Sequence, residues 1–137
     1  MTEFEQDGME EVLADFIMEA EELLGPLDEN FIELEKSPDN IELVNEIFRS
    51  VHTIKGASGF LGLNQLVEIS HKAEDVLNNI RQGNLTLTPE IMDVLLKSID
   101  IIKELIDKIK NKDENANDRY GKHVKNMVEY HHDGSNY

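Results

Sequence analysis

The sequence predicts an all-α protein, an antiparallel up-and-down four-helix bundle with room for a short fifth helix at its C-terminal end. Three observations lead there. Four segments repeat apolar residues at alternating spacings of three and four, which lines one side of a helix. Each segment is bounded by capping residues, proline or glycine, and the connections are short enough to make consecutive helices antiparallel neighbours. With 137 residues the chain has length for one domain and one core.

The first segment carries Leu13, Ile17, Ala20, Leu24, Leu27, Phe31 and Leu34, with an acidic opposite side. Pro26 falls inside this pattern behind Gly25, so a kink or a division of the helix is expected there. The second opens after Ser37-Pro38-Asp39-Asn40 and takes Val44, Phe48 and Val51 as its buried stripe. It runs through His52 and Lys55 and loosens around Gly56, Gly59 and Gly62 into a tight turn. Asn64 is the expected cap of the third, whose apolar face is Leu66, Ile69, Ala73, Val76, Leu77 and Ile80 and whose stop is Gly83. Thr88 caps the fourth, Pro89 takes its first helical position, and Met92, Leu95, Ile99, Ile102, Ile106 and Ile109 form its core stripe. The expected organisation is a bundle over residues 1–110, a polar linker over 111–117, and a tail over 118–137. In that tail the weak pattern of Tyr120, Val124, Met127 and Val128 allows a short helix.

Composition narrows the function. The chain has no cysteine, which removes disulfides and thiolate metal sites and fits a reducing cytoplasm. It has neither a signal-peptide pattern nor an apolar run long enough to span a bilayer, so a cytoplasmic, soluble protein is expected. A net charge of −16, with no Lys or Arg before Lys36, argues against nucleic acid and against an anionic membrane surface as partners. The acidic front reads as a solvated helix face.

The informative motif is HTIKGASGFLGL in the second segment. With Val44, Phe48 and Val51 inward, His52 follows Asn45 and Arg49 along the polar edge and should reach water. Lys55 and Gly56 lie on the next turn, offering a positive charge and almost no side-chain bulk beside the imidazole. The third segment supplies His71 and Glu74, and an antiparallel hairpin about the glycine-rich turn would bring them near His52. A carboxylate that accepts a hydrogen bond from one ring nitrogen fixes the neutral tautomer and leaves the other nitrogen a free lone pair.

HTIKGASGFLG and SHKAE together resemble the histidine phosphotransfer domain found at the amino terminus of CheA-type chemotaxis histidine kinases, over roughly Met9 to Lys110. The resemblance implies that His52 is the phosphoacceptor, that Lys55 and Gly56 are the motif's lysine and glycine, and that His71 and Glu74 are the pair of the chemotaxis branch. It further implies transfer of the γ-phosphoryl of ATP by a separate kinase ATP-binding domain to Nε2 of His52, then to an aspartate of a response-regulator receiver domain. Glu74 would hold the Nδ1 proton, Lys55 and an auxiliary His71 would offset phosphoryl charge, and Gly56 would give steric access or serve close helix packing. No cofactor is expected in this chain, which has neither GxxxxGK[ST] nor a kinase Gly-rich loop; ATP and magnesium would come from partners. The parent would be a protein histidine kinase of the CheA type, with a free-standing relay carrier or a helical interaction module that is never phosphorylated as alternatives. A metal site of His52, His71 and Glu74 is disfavoured, because di-iron bundles use two Glu-x-x-His pairs and here one reversed pair exists. His131, His132 and Asp133 in the tail carry no information about metal binding.

Overall fold

A computed structural model describes the backbone of residues 3–111 and the side chains of residues 8–111. Among the described residues there is no strand. The helices are α1 (Glu3–Leu24), α2 (Leu27–Lys36), α3 (Ile41–Phe60), α4 (Asn64–Arg81) and α5 (Pro89–Asn111). Helices α3, α4 and α5 pack in sequence, and α5 returns to α1, while α1 and α2 both touch α3. The chain therefore closes an up-and-down bundle in which α1 and α2 together form the first arm.

The division of that arm falls at Gly25-Pro26, where proline has no N–H to continue the ladder. The backbone barely leaves the helical region: Pro26 has φ −73° and ψ −12°, Gly25 N–H donates to the Glu21 carbonyl, and Asn30 N–H donates to that of Pro26. Leu24 and Leu27 are both buried, so the apolar stripe runs unbroken across the interruption.

Helix α3 starts at Asn40, whose Oδ1 accepts the Leu43 N–H at 3.3 Å. It continues through Gly56 and Gly59 to Phe60 and ends in a Schellman closure. Leu63 N–H donates to the Ser58 carbonyl, Gly62 N–H donates to that of Gly59, and Gly62 takes φ +71°, which glycine adopts without strain. Helix α4 closes the same way, through Asn84 to Asn79, Gly83 to Ile80, and Gly83 at φ +79°. Two expectations change here. Asn64 is the first residue of α4 rather than its cap; Leu63 holds that position with no side-chain bond, because the α3 closure delivers the chain directly into the next helix. Asn111, expected in the linker, is the last residue of α5. The rest of the linker and the tail with its possible fifth helix lie outside the described residues.

The core draws on all five helices. Leu34, Val44, Ile47, Val51, Ile69, Leu77 and Ile102 are fully shielded from water. Helix α5 buries a face wider than the expected stripe, adding Ile91, Ile101 and Leu105, because a bundle helix meets two neighbours at once. Phe48 departs from expectation: it is half-buried at the edge of α3 rather than inside. Surface pairs Lys103–Asp28 and Lys110–Glu21 link α5 to the first arm but are exposed and contribute little. No helix among the described residues is long and apolar enough to cross a membrane.

The Thr88 hydroxyl accepts the Ile91 N–H at 3.2 Å at the start of α5, as expected of a cap. Urea denaturation should show Leu77→Ala destabilised by about 2–5 kcal/mol through the cavity it leaves, and Thr88→Ala by about 1 kcal/mol through the lost cap.

Candidate functional site

The site lies where α3 and α4 run side by side. The three residues between them, Leu61 to Leu63, reverse the chain so tightly that α4 returns antiparallel along α3. Side chains 22 positions apart in sequence then face each other. Glu74 Oε2 lies 2.9 Å from His52 Nδ1, and Glu74 Oε1 accepts from Lys55 Nζ at 2.9 Å. One carboxylate therefore bridges two residues that stand three apart on the neighbouring helix.

The three groups differ in their access to water. The side chain of Glu74 is 12% exposed and that of Lys55 is 25% exposed, whereas that of His52 is 59% exposed. Burial alone pushes the Glu74 carboxyl up, but the hydrogen bonds and charges of Lys55 and His52 together outweigh it and hold the group below its ordinary value. Glu74 is then an anion near neutral pH, and an ionised carboxylate can only accept. The proton of the short contact consequently belongs to His52 Nδ1, and in the neutral ring that leaves the lone pair on Nε2.

The structure brings together His52, Glu74 and Lys55. The Lys55 ammonium binds the carboxylate of Glu74, where it balances the charge of the group that holds the imidazole. His71 does not join the cluster. It is exposed, and its Nε2 sits 3.4 Å from Asp75 Oδ2, one turn along the same helix. The trio of His52, His71 and Glu74 is thus not gathered about one point, and among the described residues no three His, Asp or Glu side chains are placed to hold a metal ion.

Gly56 is exposed, and a Cβ built on it would meet nothing within 4 Å. Close packing of helices among the described residues does not require glycine there. What its bare backbone leaves open is the outer surface of α3 one turn beyond His52.

Two residues at the site escaped the sequence reading. The Phe48 ring stacks on the His52 imidazole with centroids 5.9 Å apart and 9° between planes, and the Arg81 guanidinium lies 4.0 Å from the Phe48 centroid. The signal for Phe48 was its spacing of four from His52, which outranks its apolar character at a helix edge. Arg81 stands seven residues after Glu74, two turns along the same face of α4.

Comparison with known proteins identifies the family. A family described as the Hpt domain matches residues 11–112. The sensor histidine kinase CheAY of Helicobacter pylori is 46% identical over 111 residues, covering 81% of this chain and 14% of the relative. The chemotaxis protein CheA of Borreliella burgdorferi is 41% identical over 97 residues, covering 71% of this chain and 11% of the relative. The chain thus spans only a small part of the length of these relatives. Among solved structures, the CheA phosphotransferase domain from Thermotoga maritima superimposes with a TM-score of 0.70 at 35% identity, over 74% of this chain and 96% of that one. A helical bundle that holds an exposed histidine by its Nδ1 against an ionised glutamate, matched over most of its length by these domains, belongs to the histidine phosphotransfer (Hpt) domain family of the CheA type.

Proposed function

We propose that this chain is the phosphoacceptor and relay domain of a chemotaxis-type two-component system, with His52 Nε2 as the atom that carries the phosphoryl group. The observation behind the reading is the 2.9 Å contact that ties Nδ1 to Glu74 while the ring stays open to water. The Nε2 lone pair attacks the γ-phosphorus of ATP held by a kinase domain of a partner or of a longer parent chain. The Nε2–P bond forms, the bond to the bridging oxygen breaks, and ADP leaves with those electrons. As the bond forms, the ring gains positive charge, which the carboxylate at Nδ1 stabilises. A receiver-domain aspartate then attacks the same phosphorus and releases the imidazole. ATP and magnesium come with the partners, and the relay takes place in the cytoplasm.

Lys55 acts through Glu74 in this scheme. Its ammonium keeps the nearly buried carboxyl ionised and so preserves the acceptor that holds the Nδ1 proton. The bare surface at Gly56 admits the partner's active site to within bonding distance of Nε2. The likeness to CheA-type sensor kinases makes a kinase of that type, rather than a free-standing carrier, the favoured setting.

Incubation with ATP and a cognate kinase catalytic domain should give an acid-labile, base-stable phosphoramidate that is absent from His52→Gln; label surviving that change would overturn the assignment. Glu74→Ala should be labelled at least about tenfold more slowly, read from initial rates. Because the Glu74 pKa is lowered on folding, its contribution to stability is full above its unfolded value near 4.5 and disappears as pH falls through the folded one. The stability gap between wild type and Glu74→Gln, measured by urea unfolding, should therefore close as the pH is taken from 6 to about 3. Gly56→Ala should stabilise the isolated chain by about 0.5–1 kcal/mol, while Gly56→Gln should leave the fold intact and slow phosphoryl uptake by at least about tenfold.

A further inference from the structure

A hydrogen bond at Nδ1 fixes one edge of the His52 ring but not its plane, and with more than half of the side chain in water little else restrains it. The second restraint in the structure is Phe48, one turn earlier on α3. Its near-parallel ring at 5.9 Å lies in the range of offset stacking. Phe48 is itself only half-buried, and the Arg81 guanidinium from the last turn of α4 rests 4.0 Å from its centroid, within cation–π reach. Arg81 in turn donates to Asn78 Oδ1 at 2.7 Å, which fixes where the guanidinium sits. One side of Phe48 packs against the core, but its ring also extends to the rim. Val44 and Val51, which serve the core, are fully covered, whereas Phe48 carries an imidazole and a cation at the rim.

We propose that Phe48 and Arg81 are positioning residues for phosphoryl transfer at His52: Arg81 holds the Phe48 ring, and Phe48 holds the plane of the imidazole so that Nε2 points in one direction. The proposal rests on reading His52 as the phosphoacceptor. The Nε2 lone pair lies in the ring plane, so in-line attack on phosphorus needs the Nε2 edge of the ring aimed at the incoming nucleotide. A ring free to turn about Cβ–Cγ also loses the Nδ1 contact and with it the tautomer. The two residues act on the rate without touching the transferred group.

The test uses Phe48→Leu, which keeps apolar bulk and removes the ring, together with Arg81→Gln, the double variant, and Phe48→Tyr as the conservative control. With the kinase domain as phosphodonor, each of the first two should lower kcat about three- to tenfold at unchanged KM, and Phe48→Tyr should retain wild-type kcat. The double variant should fall no further than Phe48→Leu, because Arg81 acts only through that ring. In the unphosphorylated chain, nitrogen-15 NMR should show His52 as the Nδ1–H tautomer in wild type and a mixture with Nε2–H in Phe48→Leu. Wild-type kcat in the single variants, a change confined to KM, additive losses in the double variant, or an undisturbed tautomer would each overturn the proposal. If wild type takes no label at His52, the phosphoacceptor reading fails, and the NMR comparison alone decides the stack.

Discussion

Much of this molecule depends on a carboxylate that stays charged while nearly buried. Glu74 loses most of its water on folding, and the loss is offset only because α3 delivers a cation and a ring N–H to its two oxygens. Both donors must arrive together, which constrains the register of α3 against α4. A slip of one residue would turn Glu74 by about 100° around its helix and leave it facing neither. The Schellman closure at Gly62 is what sets that register, since it ties Leu63 back to Ser58 and leaves no slack between the helices. A backbone hydrogen bond at a turn and the tautomer of a histidine some three turns away are thereby parts of one arrangement.

The bundle separates its two tasks by depth. Side chains facing the axis, such as Ile47, Val51 and Leu77, supply the stability, and none of them touches the imidazole edge that faces water. The chemistry occupies a rim where polar groups are partly covered. There each contact restrains the next: Asn78 holds Arg81, Arg81 lies against Phe48, Phe48 stacks on His52, and Glu74 joins His52 to Lys55. Rim contacts of this kind are individually weak, but they act on groups that have few conformations left to lose.

Residue pattern made much of this legible. Apolar spacing identified the four arms and most of the core, Pro26 located the break, and Gly62, Gly83 and Thr88 fell at helix ends for the stereochemical reasons that make them signals. The family followed from HTIKGASGFLG and SHKAE, and the His52–Glu74 contact from an antiparallel hairpin. What failed to show was direction. Phe48 is apolar, in phase with the core and packed against its edge, but periodicity does not show that its ring also leans along the helix to its own fourth neighbour. Lys55 pairs with Glu74, an anion on the neighbouring helix that its spacing from His52 does not name. His71 shares a turn with Glu74 yet points to Asp75. Spacing along a helix says which residues are neighbours and not which of several neighbours wins.

The two glycine closures that bracket α4 also bear on how this domain can change over evolutionary time. The connection after Asn84 lies beyond the second closure, so residues gained or lost there disturb the core contacts of Leu85 and Leu87 but leave the histidine and its glutamate in phase. The three residues before α4 have no such freedom, because a change in their number rotates the whole helix. Drift in loop length should therefore accumulate on one side of α4 and be purged on the other, and a lineage that did alter the first turn would keep its bundle while silencing its histidine.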